Sequence, residues 1–448
     1  AFDHERCVVR IPPADEVTPL VLAACRRGDT LVVVPEQARA RHLVLALRRA
    51  GVHAVSYPDE WAAAAAGATV VGTRSAAFAP MPELAAVVVV DEHDEALKEE
   101  RTPSWHARDV AFERGRRRGV PVVVTSPVPT LEALRAATLL RPSRAAERAG
   151  WPVVEVLDRR DEDPVRSGLF AEGLKERLPT SGRVVAVLNR KGRARLLACG
   201  ACGELVRTSD GRLPMRLVDE HLVAPDGSET RPPVCARCGS TRLRLLRPGV
   251  TRAREELAAL VGEPVAEVTA DSDALGDERV VIGTEAVLHR LDRAAVVVFC
   301  DLDQELLAPR QRAAEQALVL LARAARLVGG RHDPDRPGRL ILQTRQPDHE
   351  VVRAAVLADP SIVAVAERDR RRALGLAPYG AEALVAGAGA EAFVAGLGAL
   401  GVPGLRIRGP LDGRWLVRAD DHRILCDALA ATPRPDARVR IEVDPLRV

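Results

Sequence analysis

Short runs of β-branched and apolar residues alternate, through the first 150 residues, with longer stretches rich in Ala, Arg and Leu. The runs include TLVVVPE (30–36), ATVVG (68–72), AAVVVVDE (85–92) and VPVVVTS (120–126), each closing on a polar residue or a turn signal. Strands buried on both faces read as continuous apolar runs, so this pattern predicts a parallel sheet with helices on both sides. A second series follows: WPVVEVLD (151–158), GRVVAVLNR (182–190), ERVVIGTE (278–285), AAVVVFCDLD (294–303) and GRLILQT (338–344). It predicts a second lobe of the same class, with RRDEDPVRSG (159–168) as the join.

The periodicity breaks between 198 and 245, where Gly, Pro, Arg and paired cysteines take over. The tail from about 350 is Ala/Gly-rich and ends in two short strand patterns, WLVRA (415–419) and RVRIEVD (438–444). The expected organisation is α/β: lobe one over 1–150, lobe two over 151–197 and 246–349, an insertion over 198–245, and a small α+β domain over 350–448.

Composition narrows the function classes. A hydrophobic content of 47% fills globular cores, and no apolar run approaches the roughly 20 residues a membrane span needs. The start, AFDHERCVV, lacks the basic and apolar regions of a secretory leader, so a cytoplasmic protein without membrane association is expected. The first residue is not Met, which suggests a fragment missing its N-terminal part. Positive charge is almost all arginine, the lysines being Lys98, Lys175 and Lys191, and guanidinium forks suit phosphate contacts.

The most specific chemical signal is CGACG at 199–203 with CARCG at 235–239. Two C-x-x-C knuckles supply four thiolates, Cys199, Cys202, Cys235 and Cys238, for one tetrahedral Zn²⁺. Such a closed ligand set predicts a structural ion. Cys7, Cys25, Cys300 and Cys426 read as small core residues of a reduced protein. Basic residues bracket the insertion, with Arg190, Lys191, Arg193 and Arg195 before it and Arg242 and Arg244 after the second knuckle. Beside a zinc module they are candidates for nucleic-acid phosphate, and Trp105 is the candidate for base stacking.

VVVVDEHD (87–94) delivers Asp91 and Glu92 to a strand end, where nucleotide hydrolases keep their magnesium-binding and water-activating acids. Those acids work only with a Gly-rich phosphate loop and its Lys. No Gly-Lys dipeptide occurs in the chain, and the turn expected to hold it reads RIPPADEVTPL (10–20). ATP and Mg²⁺ are therefore not expected as cofactors. Asp91 and Glu92 read as vestigial, reused to cap the following helix or to pair with Arg74 or Arg108.

DEHDEALKEERTPSWHARDVAFERG (91–115), VLNRKGRARLLACGACG (187–203), CARCGSTRLRLLRPGVTR (235–252), VVIGTEAVL (280–288) and LILQTRQPDHEVV (340–352), in this order, resemble the PriA family of superfamily 2 DNA helicases. The resemblance implies two tandem RecA-like lobes, a zinc module inserted in the second, and a C-terminal domain that contacts fork DNA and single-strand DNA-binding protein. It also implies recognition of abandoned forks, recruitment of primosome and restart factors, and a nucleoid-associated location. Departures from the family pattern fall on the ATPase parts. The phosphate loop is replaced by RIPPADEV, D-E-E-H becomes DEHD, the coupling motif becomes TSPVPT (125–130), and RAARLVGG (323–330) stands where the arginine motif belongs. The family's eight zinc-binding cysteines are reduced to the outer two pairs, which implies one ion. The sequence thus reads as a PriA-like DNA-binding restart protein without ATPase activity, the alternatives being an active 3′–5′ helicase with a diverged loop and a protein-interaction scaffold.

Overall fold

The computed structural model describes residues 1–163, 168–188, 197–210, 215–218, 220–224, 227–245, 250–268, 277–331 and 338–446. The chain divides into two compact units, Ala1–Gly150 with Pro309–Ala322 and Leu357–Val448, and Trp151–Ala308 with Arg323–Val356.

In the first unit β1 (Arg6–Arg10), β2 (Thr30–Val33), β3 (Ala54–Tyr57), β4 (Thr69–Gly72), β5 (Ala86–Val89), β6 (Val122–Ser126) and β7 (Thr138–Leu140) form one sheet in the order β3-β4-β2-β5-β6-β1-β7. Every pairing in it is parallel. Alternate residues of the valine runs feed opposite faces: Val87 and Val89 join one core with Leu31, Val33 and Val122, and Ala86 and Val88 join the other with Val32 and Val71. Burial on both faces is why these strands read as unbroken apolar runs.

The second unit repeats the plan. β8 (Val153–Asp158), β9 (Val184–Val187), β10 (Val265–Val268), β11 (Val280–Gly283), β12 (Val296–Phe299) and β13 (Arg339–Thr344) form a parallel sheet in the order β8-β13-β12-β9-β11-β10. The α/β class expected from the sequence, with two tandem lobes each built on a parallel sheet, is the one found.

Residues Ala381–Val443 form a third sheet in the first unit, from β14 (Ala381–Ala386), β15 (Arg406–Leu411), β16 (Arg414–Ala419) and β17 (Arg440–Val443). With helices Ala390–Ala399 and His422–Ala431 the order along the chain is βαββαβ, and the antiparallel order β15-β16-β14-β17 makes it a ferredoxin-like domain. Phe393, Leu397 and Leu425 fill its core. Its edge strand β17 is not left open. The Thr102 hydroxyl accepts from the Ile441 amide (3.0 Å) and donates to the Ile441 carbonyl (2.9 Å), while Ser104 Oγ accepts from the Val443 amide (2.8 Å) and the Lys98 ammonium donates to the Val443 carbonyl (2.7 Å). Side chains of the segment after DEHD thereby stand in for a neighbouring strand and protect the edge.

Candidate functional site

The turn after β1 is where a phosphate cradle would need free backbone amides. The Ile11 amide donates to the Ser126 carbonyl (3.2 Å), Ala14 to Gly150 (3.1 Å) and Asp15 to Pro12 (3.0 Å). Pro12 and Pro13 between them carry no N–H. Packing closes the turn further, because a Cβ on Gly150 would lie 2.3 Å from the Pro12 Cβ. Arg10, at the end of β1, is buried and pairs with buried Glu147 at 2.7 Å, and its other terminal nitrogen donates to Ser361 Oγ at 2.8 Å.

Asp91 and Glu92 stand at the end of β5, as their strand pattern requires. Asp91 turns the chain with a φ of 52°, a conformation its short polar side chain tolerates better than most. Its carboxylate pairs with Arg39 of helix Gln37–Arg49, a partner the sequence reading missed. The only available signal was that a buried strand-end acid needs a cation from an adjacent helix. Glu92 is fully buried and accepts from Arg108 Nη1 (2.9 Å), the Thr130 hydroxyl (2.8 Å) and the Thr130 amide (2.8 Å). The expected pairing with Arg108 is therefore present, whereas Arg74 pairs instead with Glu99 at 3.0 Å. Burial pushes the Glu92 carboxyl up, against the pull of Arg108 and Thr130. Asp109, Glu92 and Glu132 hold Arg108 charged in spite of its own burial.

TSPVPT is locked to the same place. Its Thr125 carbonyl takes the Glu92 amide (2.9 Å), Ser126 Oγ meets His93 Nδ1 at 2.8 Å, and Thr130 caps helix Leu131–Ala136 through the Ala133 amide (3.2 Å). With Pro127 and Pro129 between these anchors, the segment has few free torsions left.

The four knuckle cysteines come together. Their sulfurs all lie within 4.8 Å of one another, with Cys199 to Cys238 at 3.4 Å and Cys202 to Cys235 at 3.7 Å. A tetrahedral ion with bonds of about 2.3 Å needs sulfur separations of about 3.8 Å, so the set fits Zn²⁺. Both knuckles have one construction. The Cys199 amide donates to the Glu204 carbonyl (2.8 Å) and Gly203 to Cys199 (2.9 Å), while the Cys235 amide donates to Ser240 (2.9 Å) and Gly239 to Cys235 (2.9 Å). Gly203 and Gly239 adopt φ of 77° and 72°, which explains a glycine after each second ligand. Amides of Cys202 and Ala201 pull the Cys199 thiol down to about 6. At Cys238 the Ser240 amide also lowers, but hydrogen bonds to the sulfurs of Cys199, Cys202 and Cys235 win and push the thiol up to about 12. Thiols this close share protons until a cation joins them.

The nucleic-acid candidates fare unevenly. Arg190, Lys191, Arg193 and Arg195 lie outside the described residues. Arg242 is exposed beside the cysteines, its carbonyl taking the Gly200 amide (2.7 Å), and Arg244 belongs to the strand Leu243–Leu245 that pairs with Leu197–Cys199. Trp105 is half-buried, its ring edge-on to Phe78 with centroids 4.8 Å apart. Cys426, expected in the core, is exposed on its helix. No described helix is long and apolar enough to cross a membrane.

No family model matches the chain. Replication restart protein PriA of Bacillus subtilis is 28% identical over 351 residues, which are 70% of this chain and 43% of that protein. The Thermotoga maritima PriA is 28% identical over 79% of this chain and 52% of its own length, and the probable PriA of Mycobacterium leprae 29% over 82% and 61%. Among solved structures, yeast Dbp5 bound to RNA and ADP BeF3 aligns over 82% of this chain and 89% of its own, with 12% identity and a TM-score of 0.41. The Escherichia coli DExH-box NTPase HrpB aligns over 80% of this chain and 41% of its own, with 14% identity and a TM-score of 0.37. The chain thus spans about half the length of the relatives it matches, and across most of its own residues it is similar in sequence to replication restart protein PriA, as its motif order indicated.

Proposed function

We propose that the chain acts in replication restart, binding branched or single-stranded DNA at stalled forks and recruiting single-strand DNA-binding protein and other primosome factors, without hydrolysing ATP. It does so in the cytoplasm, at the nucleoid. The observation that carries the non-hydrolytic part is the accounting of the turn after β1, where two residues have no amide proton and three amides are already spent on protein carbonyls. Phosphoryl transfer depends on positioned donors and a metal, and the acids that would hold that metal are instead bound by Arg39, Arg108 and Thr130. The restart and DNA-binding parts rest on similarity to PriA and on a cysteine set that fits one structural zinc.

The test is ATP turnover at saturating forked DNA. Turnover should stay at the level of buffer, and a DNA-stimulated rate abolished by Asp91→Asn would refute the reading in favour of an active helicase.

A further inference from the structure

The first unit contains a cavity of about 460 Å³ among helix Leu131–Ala136, edge strand β7 and helix Ser361–Leu374. Leu131, Leu134, Leu139 and Val365 give it an apolar wall. Arg135, Arg368 and Arg372 also line it, and no carboxylate does. Arg10 reaches the wall too, but its terminal nitrogens are taken by Glu147 and Ser361. Among the described residues Arg368 has an acidic partner, Asp369 at 2.9 Å, whereas Arg135 and Arg372 make no ion pair. Both lay their guanidinium groups over the Tyr379 ring, at 5.2 and 4.8 Å from its centre. The cavity shares Arg10 with the turn after β1 and Pro129 with TSPVPT, but none of residues 11–17 lines it.

Two cations without counter-charges, Arg135 and Arg372, beside an apolar wall call for an anion with an apolar, flat body. Guanidinium planes stack on nucleobases, and their forks grip phosphate oxygens in pairs. The volume falls within the roughly 300–1,000 Å³ of small-molecule sites and holds one such unit, whereas an extended acidic peptide needs a longer groove. We propose that this cavity binds a single nucleotide, its base against the leucines and its phosphate at Arg372, with Arg135 beside it. The chemistry is the same for a free nucleoside phosphate and for the phosphorylated end of a nucleic-acid strand. The site does not depend on the restart reading.

Calorimetry of the full zinc-loaded chain, without and then with added Mg²⁺, with AMP, ADP and ATP and with a short single strand carrying or lacking a 5′ phosphate, tests it. Saturable binding is expected for at least one phosphorylated probe. Arg372→Ala should weaken it about tenfold, as loss of a charge-assisted contact does. Val365→Trp, at a side chain 46% exposed, should fill the cavity and abolish binding without unfolding the chain, which near-ultraviolet circular dichroism checks. Binding of free nucleotides identifies a soluble ligand, and binding of the phosphorylated strand alone identifies a strand end. No saturable binding of any probe, or binding untouched by both substitutions, overturns the proposal. So does capture of an acidic, aromatic-containing peptide that nucleotides fail to displace. Magnesium-dependent ATP binding lost in Asp91→Asn and kept in Arg372→Ala would overturn this site and the non-hydrolytic reading together, while absence of binding would leave the latter standing.

Discussion

Glu92 and Arg108 are a buried pair in which each group depends on the other. The carboxylate has no solvent contact and receives three donors, and the guanidinium is also buried. Desolvating two charges costs nearly what their attraction returns, so the pair adds little net stability, but removing one partner strands the other in the core. Glu92→Ala should therefore destabilise the first unit by about 3–5 kcal/mol, whereas Glu92→Leu combined with Arg108→Met should recover most of that loss. Urea unfolding of the three proteins checks this. Equal stability of the single variant and the parent would mean that the carboxylate is not holding Thr130 and its helix in place. The same pair gives a strand-end acid a structural role: Glu92 fixes Arg108 on helix Ala107–Arg118 and the cap of helix Leu131–Ala136.

At the scale of elements, polar networks and the zinc knuckles carry what apolar packing does not. Helices Leu131–Ala136, Ala313–Val328 and Ser361–Leu374 are tied through Glu132, Arg312, Glu315, Glu367 and Arg371, with Arg312 paired to Glu132 and Arg371 to Glu315 and, at 3.1 Å, to Glu367. Burial tends to raise the Glu132 carboxyl, yet Arg312, Arg371 and Arg108 hold it at about 2. Among the described residues the core of the insertion is small, Leu197, Val206, Met215 and Leu222, so a loop-rich segment of this kind is expected to depend on a metal for order. One zinc per chain is expected by metal analysis, and Cys235→Ser should release it and expose the insertion to proteolysis while the sheets stay folded. Two ions, or a variant that keeps its zinc, would contradict the ligand set. The knuckles were legible because both ligand spacing and the glycine after the second cysteine are local requirements. The central strands were legible for a similar reason, since burial on both faces writes itself into consecutive residues. The edge strands β3 and β7 were not, being short and half-covered, and neither was Arg39, whose pairing with Asp91 joins residues far apart in sequence. The βαββαβ order of the C-terminal domain was equally hidden, because β14 and β15 carry Ala, Gly, Pro and Arg in place of a β-branched run.

For the whole molecule, a formal net charge of +3 is too small to bind DNA by itself, so the proposed DNA binding requires phosphate contacts concentrated in one place. The arginines of helix Ala107–Arg118 are already engaged: Arg116 and Arg117 pair with Glu113, and Arg114 donates to the Ala77 carbonyl at 2.7 Å. A groove of about 800 Å³ in the first unit is different. It runs between the segment 95–102 and the 434–440 stretch of the ferredoxin-like domain, and Arg74 and Arg440 in it are offset by Glu99 and Glu100. Arg434 and Arg438 are exposed on its rim and make no ion pair among the described residues, which leaves them able to replace counterions on a phosphate backbone. Each phosphate neutralised contributes about 0.9 to the slope of log affinity against log salt on duplex and about 0.7 on single strands. Arg434→Ala with Arg438→Ala should thus weaken fork binding about equally for all sequences and flatten that slope by about 1–2. Fluorescence anisotropy over a salt series measures both quantities. An unchanged slope would move the DNA contact away from this groove, towards Arg242 and the zinc module, and weak binding that ignores salt altogether would favour a protein scaffold over a DNA-binding one.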